Sequence, residues 1–156
     1  MKPKDNYYWN TYKWCNGSYD SQTKYCTNSS FGVVDYNAVL DEEDDAAAVN
    51  WGGAWRMPTE DEMTELLNNC TWTWTTLNGV NGCQVTGPSG KSIFLPAAGF
   101  REYDGLNYAG SFAIYCSSSL GTDRPSGAHV LAFYSDNMSM GGNYRFCGYS
   151  VRPVCP

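Results

Sequence analysis

Pro58-Thr59-Glu60-Asp61-Glu62-Met63-Thr64-Glu65-Leu66-Leu67-Asn68-Asn69, followed at once by Cys70-Thr71-Trp72-Thr73-Trp74-Thr75, sets a helix end to end with a strand. Pro58 precedes Thr59, and Thr59 with Glu62 has the spacing of a capping box, in which each side chain satisfies the other residue's backbone N–H. Met63, Leu66 and Leu67 then fall on one helical face. Asn68 and Asn69 stop the helix, and the Thr/Trp alternation beyond them has the period of two and the β-branched content of a strand. Asn78-Gly79 and Asn81-Gly82 supply turn residues. Residues 84–86 then return, and Ser92-Ile93-Phe94-Leu95-Pro96 reads as a further strand.

Upstream, Asp41-Glu42-Glu43-Asp44-Asp45-Ala46-Ala47-Ala48-Val49 predicts another helix, with acids in its first turn opposing the positive end of the dipole and Ala sustaining it. Trp51-Gly52-Gly53 ends it. Residues 1–37 read as an irregular segment laid over a core, with Tyr7, Tyr8, Trp9, Tyr12 and Trp14 as buried anchors. Downstream of Gly99 the strands are short. Residues 114–117 are expected to pair with residues 129–134, where Leu131 and Phe133 face the core and Val130, Ala132 and Tyr134 face outward. Residues 149–154 read as the final strand. Two helices followed by short antiparallel strands with long loops define an α+β class.

The 156 residues suit one domain, taken here as 1–156. A charged fraction of 17% with 15% aromatics favours a folded chain over a disordered one. Sixteen acidic against ten basic residues give a net charge of −6, and no Lys/Arg cluster tracks a phosphate backbone, so nucleic acid is not an expected partner. No apolar run approaches the roughly 20 residues that span a bilayer, so membrane insertion of this chain is not expected, and any export signal lies upstream of it or is absent. Seven cysteines favour an oxidising compartment, and their odd number leaves one unpaired within a monomer. Cys15 with Cys26, as a local loop closure, and Cys70 with Cys83, across a hairpin, are the candidate disulfides. Connectivity is not legible from sequence alone. No Cys-x-x-Cys motif supports a zinc ribbon or a thioredoxin site.

Three segments carry a family resemblance: Asn50-Trp51-Gly52-Gly53-Ala54-Trp55-Arg56-Met57-Pro58-Thr59, Ser92-Ile93-Phe94-Leu95-Pro96-Ala97-Ala98-Gly99-Phe100-Arg101, and Gly148-Tyr149-Ser150-Val151-Arg152-Pro153-Val154. Together they resemble the major-paralogous-domain family of Bacteroidetes surface proteins. The resemblance implies a C-type lectin-like fold, in the variant of the formylglycine-generating enzyme, at the cell surface. Residues 99–149 also resemble the variable region of proteins diversified by retroelements. That implies a receptor or adhesin, on a cell surface or a phage tail, whose ligand differs between variants. Cys116, Cys147, Ile114 and Phe112 stand where such sequences usually carry Trp, Tyr or Asn, as diversified sites would.

The tract 99–149 is rich in Tyr, Asn, Gly and Ser, the residues that paratopes favour. Its candidate ligand-binding residues are Tyr103, Asp104, Asn107, Tyr108, Phe112, Ile114, Tyr115, Arg124, His129, Val130, Ala132, Tyr134, Asn143, Tyr144, Phe146 and Tyr149. Tyr108, Tyr134 and Tyr144 are the expected anchors. The plain alternative is that these aromatics fill a loop-rich subdomain. The expected ligand is a protein or another cell-surface molecule, with no cofactor and no metal.

An enzyme is not expected. His129 is the sole histidine, and no Gly-x-Ser-x-Gly surrounds a serine. A formylglycine-generating-type enzyme using Cys147 and Cys155 as metal thiolates is a weaker alternative, and a structural cell-surface or pilus-tip module is another. The calcium-binding sugar motifs of true C-type lectins are missing from the sequence. The acidic runs at 41–45 and 60–65 are explained as solvated helix starts, Trp51 and Trp55 as framework packing, and Arg56, Arg101, Arg145 and Arg152 as framework hydrogen-bonders, with Arg124 the exception.

Overall fold

A computed structural model describes residues 4–155 as two short α-helices and eight strands in three small antiparallel sheets, an α+β arrangement. Helix α2 (Glu60–Asn69) begins as its sequence predicts. The Thr59 amide donates to Glu62 Oε2 at 2.9 Å and the Glu62 amide donates to Thr59 Oγ1 at 3.2 Å. Met63 is buried beneath the helix, with Leu66 and Leu67 packed beside it.

The chain passes through Cys70 into β1 (Thr71–Leu77) and turns at Asn78-Gly79, where positive φ at both residues suits a tight hairpin. Strands β2 (Val80–Thr86) and β3 (Ser92–Pro96) complete the first sheet in the order β1-β2-β3. Asn81-Gly82 is no turn. Gly82 lies within β2, where a Cβ would stand 2.3 Å from the Leu95 carbonyl oxygen, so glycine is required by close approach.

The hairpin β4 (Phe100–Glu102) and β5 (Gly105–Asn107) stands apart as a two-stranded sheet. Strands β6 (Ala113–Leu120), β7 (Gly127–Phe133) and β8 (Met138–Tyr144) make the third. The expected pairing holds in register, Tyr115 opposite Leu131 and Ile114 opposite Ala132. Strand β8 has no counterpart in the sequence expectation.

The main core lies between the first sheet, the third sheet and α2. It gathers Met63, Cys83, Val85, Leu95, Ala113, Tyr115, Leu131 and Phe133. Trp72 and Trp74 pack their rings on Phe133 at centroid distances of 5.7 and 6.4 Å. The opposite face of β6 and β7 is covered too, by a cluster of Phe112, Ile114 and Val130 with Phe100, Ala132 and Tyr149 against it. The expected outward face is therefore corrected. Val130 is buried and Ala132 half-buried, and only Tyr134, just past the end of β7, stays exposed.

Four further expectations change. Helix α1 (Ala46–Trp51) starts after the acidic run, not within it, and has no acid in its first turn. Asp45 is its cap, accepting from the Ala47 and Ala48 amides and also from Met57. Residues 149–154 form an extended run with isolated bridges at Ser150 and Val154 rather than a strand, because each meets a different partner, Tyr115 and Arg56. The cysteines all stand as thiols. Strand register sets Cys83 opposite Trp74, while Cys70 lies four positions further along against Gly87, and Cys15 and Cys26 donate separately to the Trp9 and Asn28 carbonyls. Trp51, the last residue of α1, and Trp55, beyond its end, are exposed, not packed. Among the described residues no helix is long and apolar enough to cross a membrane.

Candidate functional site

The N-terminal segment does more than cover the core. Backbone hydrogen bonds in both directions join Tyr7 to Tyr103, at 2.8 and 2.9 Å, and fix residues 7–10 beside the β4–β5 hairpin. The Tyr8 hydroxyl donates to Asp104 Oδ2 at 2.9 Å, and this bond, above all other causes, raises the phenol's pKa. Tyr103 sits at φ 54°, in a left-handed conformation that costs a non-glycine residue about 1 kcal/mol or more and tends to mark functional sites.

From this docking a groove of about 440 Å³ arises, walled by Tyr8, Trp9, Tyr19, Tyr103, Tyr144 and Phe146. Its rings are continuous: Tyr8 meets Tyr103 at 5.1 Å, Tyr103 meets Phe146 at 6.1 Å, and Trp9 meets Tyr144 at 5.7 Å edge-on. Tyr19, Tyr103 and Tyr144 are exposed, at 52, 52 and 42%. Asn10 adds an amide to the wall. The sequence indicates Tyr103, Asp104, Tyr144 and Phe146, and misses Tyr8, Trp9, Asn10 and Tyr19. The signal was the aromatic density of residues 7–19, higher than that of the C-terminal tract but assigned in the sequence reading to buried anchors.

The remaining candidates fall elsewhere. Tyr108, 63% exposed, and Tyr134, 47% exposed, flank Phe112, against which Tyr134 stacks at 4.2 Å. Tyr108 also stacks on Phe100, and Asn107 ends β5 nearby in the chain. Arg124, His129, Asn143 and Tyr144 line a smaller hollow between the β6–β7 loop and β8. His129 is held inward, its Nδ1 at 2.9 Å from Glu60 Oε1. Phe112, Ile114, Tyr115, Val130 and Phe146 are buried, and Ala132 and Tyr149 are half-buried against the second cluster. Five of the sixteen are thus corrected as surface residues. The expected anchors divide as well, Tyr144 in the groove and Tyr108 with Tyr134 in a different aromatic stack.

The acidic run at 41–45 is not a solvated helix start. Asp41, Glu43 and Asp44 converge, with ligand atoms within 4.8 Å of one another. The Lys24 ammonium lies 2.6, 3.4 and 2.9 Å from them, and Lys13 adds a contact to Asp44 at 2.8 Å. Burial pushes the Asp44 carboxyl up, but hydrogen bonds from Lys13, Tyr25 and Lys24 outweigh it and hold the group at about 2. Lysines fill the place a cation would take.

Arg56 and Arg145 serve the framework as the sequence suggests. Arg56 clasps Glu62 through both Nη atoms, at 2.7 and 2.6 Å, and the buried Arg145 donates to carbonyl and amide oxygens of residues 22–25. Cys147 is half-buried with its thiol pushed up to about 11 by burial, and Cys155 is exposed. Burial of that kind opposes the thiolate a metal ligand or nucleophile needs. No family model, no curated protein and no solved structure matches this chain.

Proposed function

We propose that this chain is a ligand-recognition domain that captures a protein or another cell-surface molecule in the groove between its N-terminal segment and the β4–β5 and β8 elements. The observation that carries this reading is the groove itself, an open space of about 440 Å³ walled by tyrosines and a tryptophan from opposite ends of the sequence. Tyrosine gives a large amphipathic contact area with few rotatable bonds, so such a surface binds at low entropic cost. Exposed aromatics that also touch one another are pre-positioned, which reduces the ordering cost further.

The two helices and three small antiparallel sheets are compatible with the C-type lectin-like fold that the family resemblance implies, and that resemblance would place the chain at a cell surface. The separate resemblance of residues 99–149 to retroelement-diversified regions implies that they vary between copies. Exposure supports a narrower set of variable positions: Tyr103, Asp104, Tyr108, Arg124, Tyr134 and Tyr144.

Population sequencing of the encoding locus tests this. Replacements are expected at the first two codon positions of those six residues, with the buried Phe112, Ile114, Tyr115, Val130 and Phe146 spared. Silent drift spread evenly across 99–149 would remove the diversified-receptor reading. Substitution spread equally over buried and exposed positions would remove the assignment of the face.

A further inference from the structure

A second crevice, of about 510 Å³, opens between the N-terminal segment, strands β6 and β7, and residues 145–151. Much of its wall is apolar, from Trp14, Leu40, Ala46, Trp51 and Ala128. It also carries an unbalanced charge. Arg145, 8% exposed, lines it and donates through Nη1 and Nη2 to Tyr25 O, Gln22 Oε1 and Lys24 O, all neutral acceptors. Among the described residues no carboxylate lies within 4.0 Å of it, and its Nε has no acceptor at all.

An unpaired buried donor is costly, and a bound ion or ligand is one way in which its missing acceptor is supplied. Lys4 and Lys13 add positive charge to the lining, and its one described acid, Asp44, is already held by Lys13 and Lys24. Burial pushes the lining thiols Cys116 and Cys147 up to about 12 and 11, so neither contributes a competing negative charge at neutral pH.

We infer that this crevice is a site for a small monocarboxylate with an apolar body. The carboxylate answers the Arg145 Nε–H, and the apolar part lies along Trp14, Leu40 and Ala46. The volume falls in the range of about 300–1,000 Å³ common to small-molecule sites. The inference is independent of the groove, with which the crevice shares only Phe146 as a wall.

The test titrates the full chain with 4-phenylbutyrate and, separately, with its uncharged analogue 4-phenylbutyramide, followed by ¹H–¹⁵N NMR. Saturable binding of the carboxylate about tenfold or more tighter than the amide is expected, because the difference is one charge-assisted hydrogen-bonded contact. The Arg145 Nε–H and the Trp14 and Trp51 indole resonances should move. Arg145→Met should abolish the preference for the carboxylate. Since Arg145 also holds residues 22–25, Ala46→Trp provides a second arm, filling the crevice from the half-buried start of α1, and should weaken carboxylate binding by about tenfold. Equal affinity for the two probes, no saturable binding, shifts confined to Tyr103 and Tyr144, or unchanged binding in Ala46→Trp would each overturn the assignment. Equal affinity, no saturable binding or an unaffected Ala46→Trp variant would leave the groove reading standing, whereas shifts confined to Tyr103 and Tyr144 would move the carboxylate site into the groove.

Discussion

Glu62 performs two tasks with one carboxylate. It closes the N-terminus of α2 through Thr59 and takes the bidentate clasp of Arg56, whose hydrogen bonds are the chief cause holding its carboxyl at about 2 despite burial. The folded pKa lies below the ordinary value, so the stabilisation is present above the unfolded pKa of about 4.3 and is lost as pH falls towards 2. Glu62→Gln should therefore lower stability at neutral pH by about 0.5–1 kcal/mol, a modest figure because both partners are more than a third exposed. Thermal unfolding should show the gap to the wild type closing below about pH 3; a constant gap across that range would contradict it. The Thr59 and Glu62 pairing was legible because a capping box is a local pattern with fixed spacing. Asp45 was not, because five consecutive acids offer no local clue to which one caps a helix and which three meet lysines from residues 13 and 24.

Strands β6 and β7 show what alternation conveys and what it withholds. Their pairing and the inward face of Leu131 and Phe133 follow from period two. That the other face is also covered depends on Phe100, Phe112 and Tyr149, which reach it from outside the two strands, and no pattern within β7 records their arrival. Phe133→Ala should cost about 4 kcal/mol, and Val130→Ala about 2 kcal/mol, both read as a fall in denaturation midpoint at constant slope. A cost below about 0.5 kcal/mol for Val130→Ala would restore the outward face that alternation suggested. Strand β8 escaped notice because Ser139, Gly141 and Gly142 dilute its pattern, although Met138 and Met140 alternate and pack on the core. α1 starts five residues later than expected because the acids, read as first-turn residues opposing the dipole, are instead taken up by Lys24 and Lys13.

Across the whole molecule the N-terminal segment is held by polar contacts, both long-range and local, as well as by its aromatic packing. Arg145 grips residues 22–25 from more than a hundred positions away, and Asp35 receives the Tyr25 and Cys26 amides from within the segment. Arg145→Gln should accelerate hydrogen exchange at Tyr25 and Cys26 while the amides of α2 and of β1 to β3 keep their protection; uniform acceleration would show that the segment unfolds only with the rest. The sequence located the C-terminal half of the groove, from composition, and not the N-terminal half, because nothing local says that residues 8–10 dock on residues 103 and 104. That docking sets an order of events. Walls contributed by Trp9 and by Tyr144 cannot meet until the intervening chain has been synthesised and its sheets have formed, and closing so long a loop is slow. On the proposed reading, capture of a ligand would therefore report that the fold is finished: a nascent chain with only one wall in place would have no groove to offer, and only the folded molecule would enter any competition for partners.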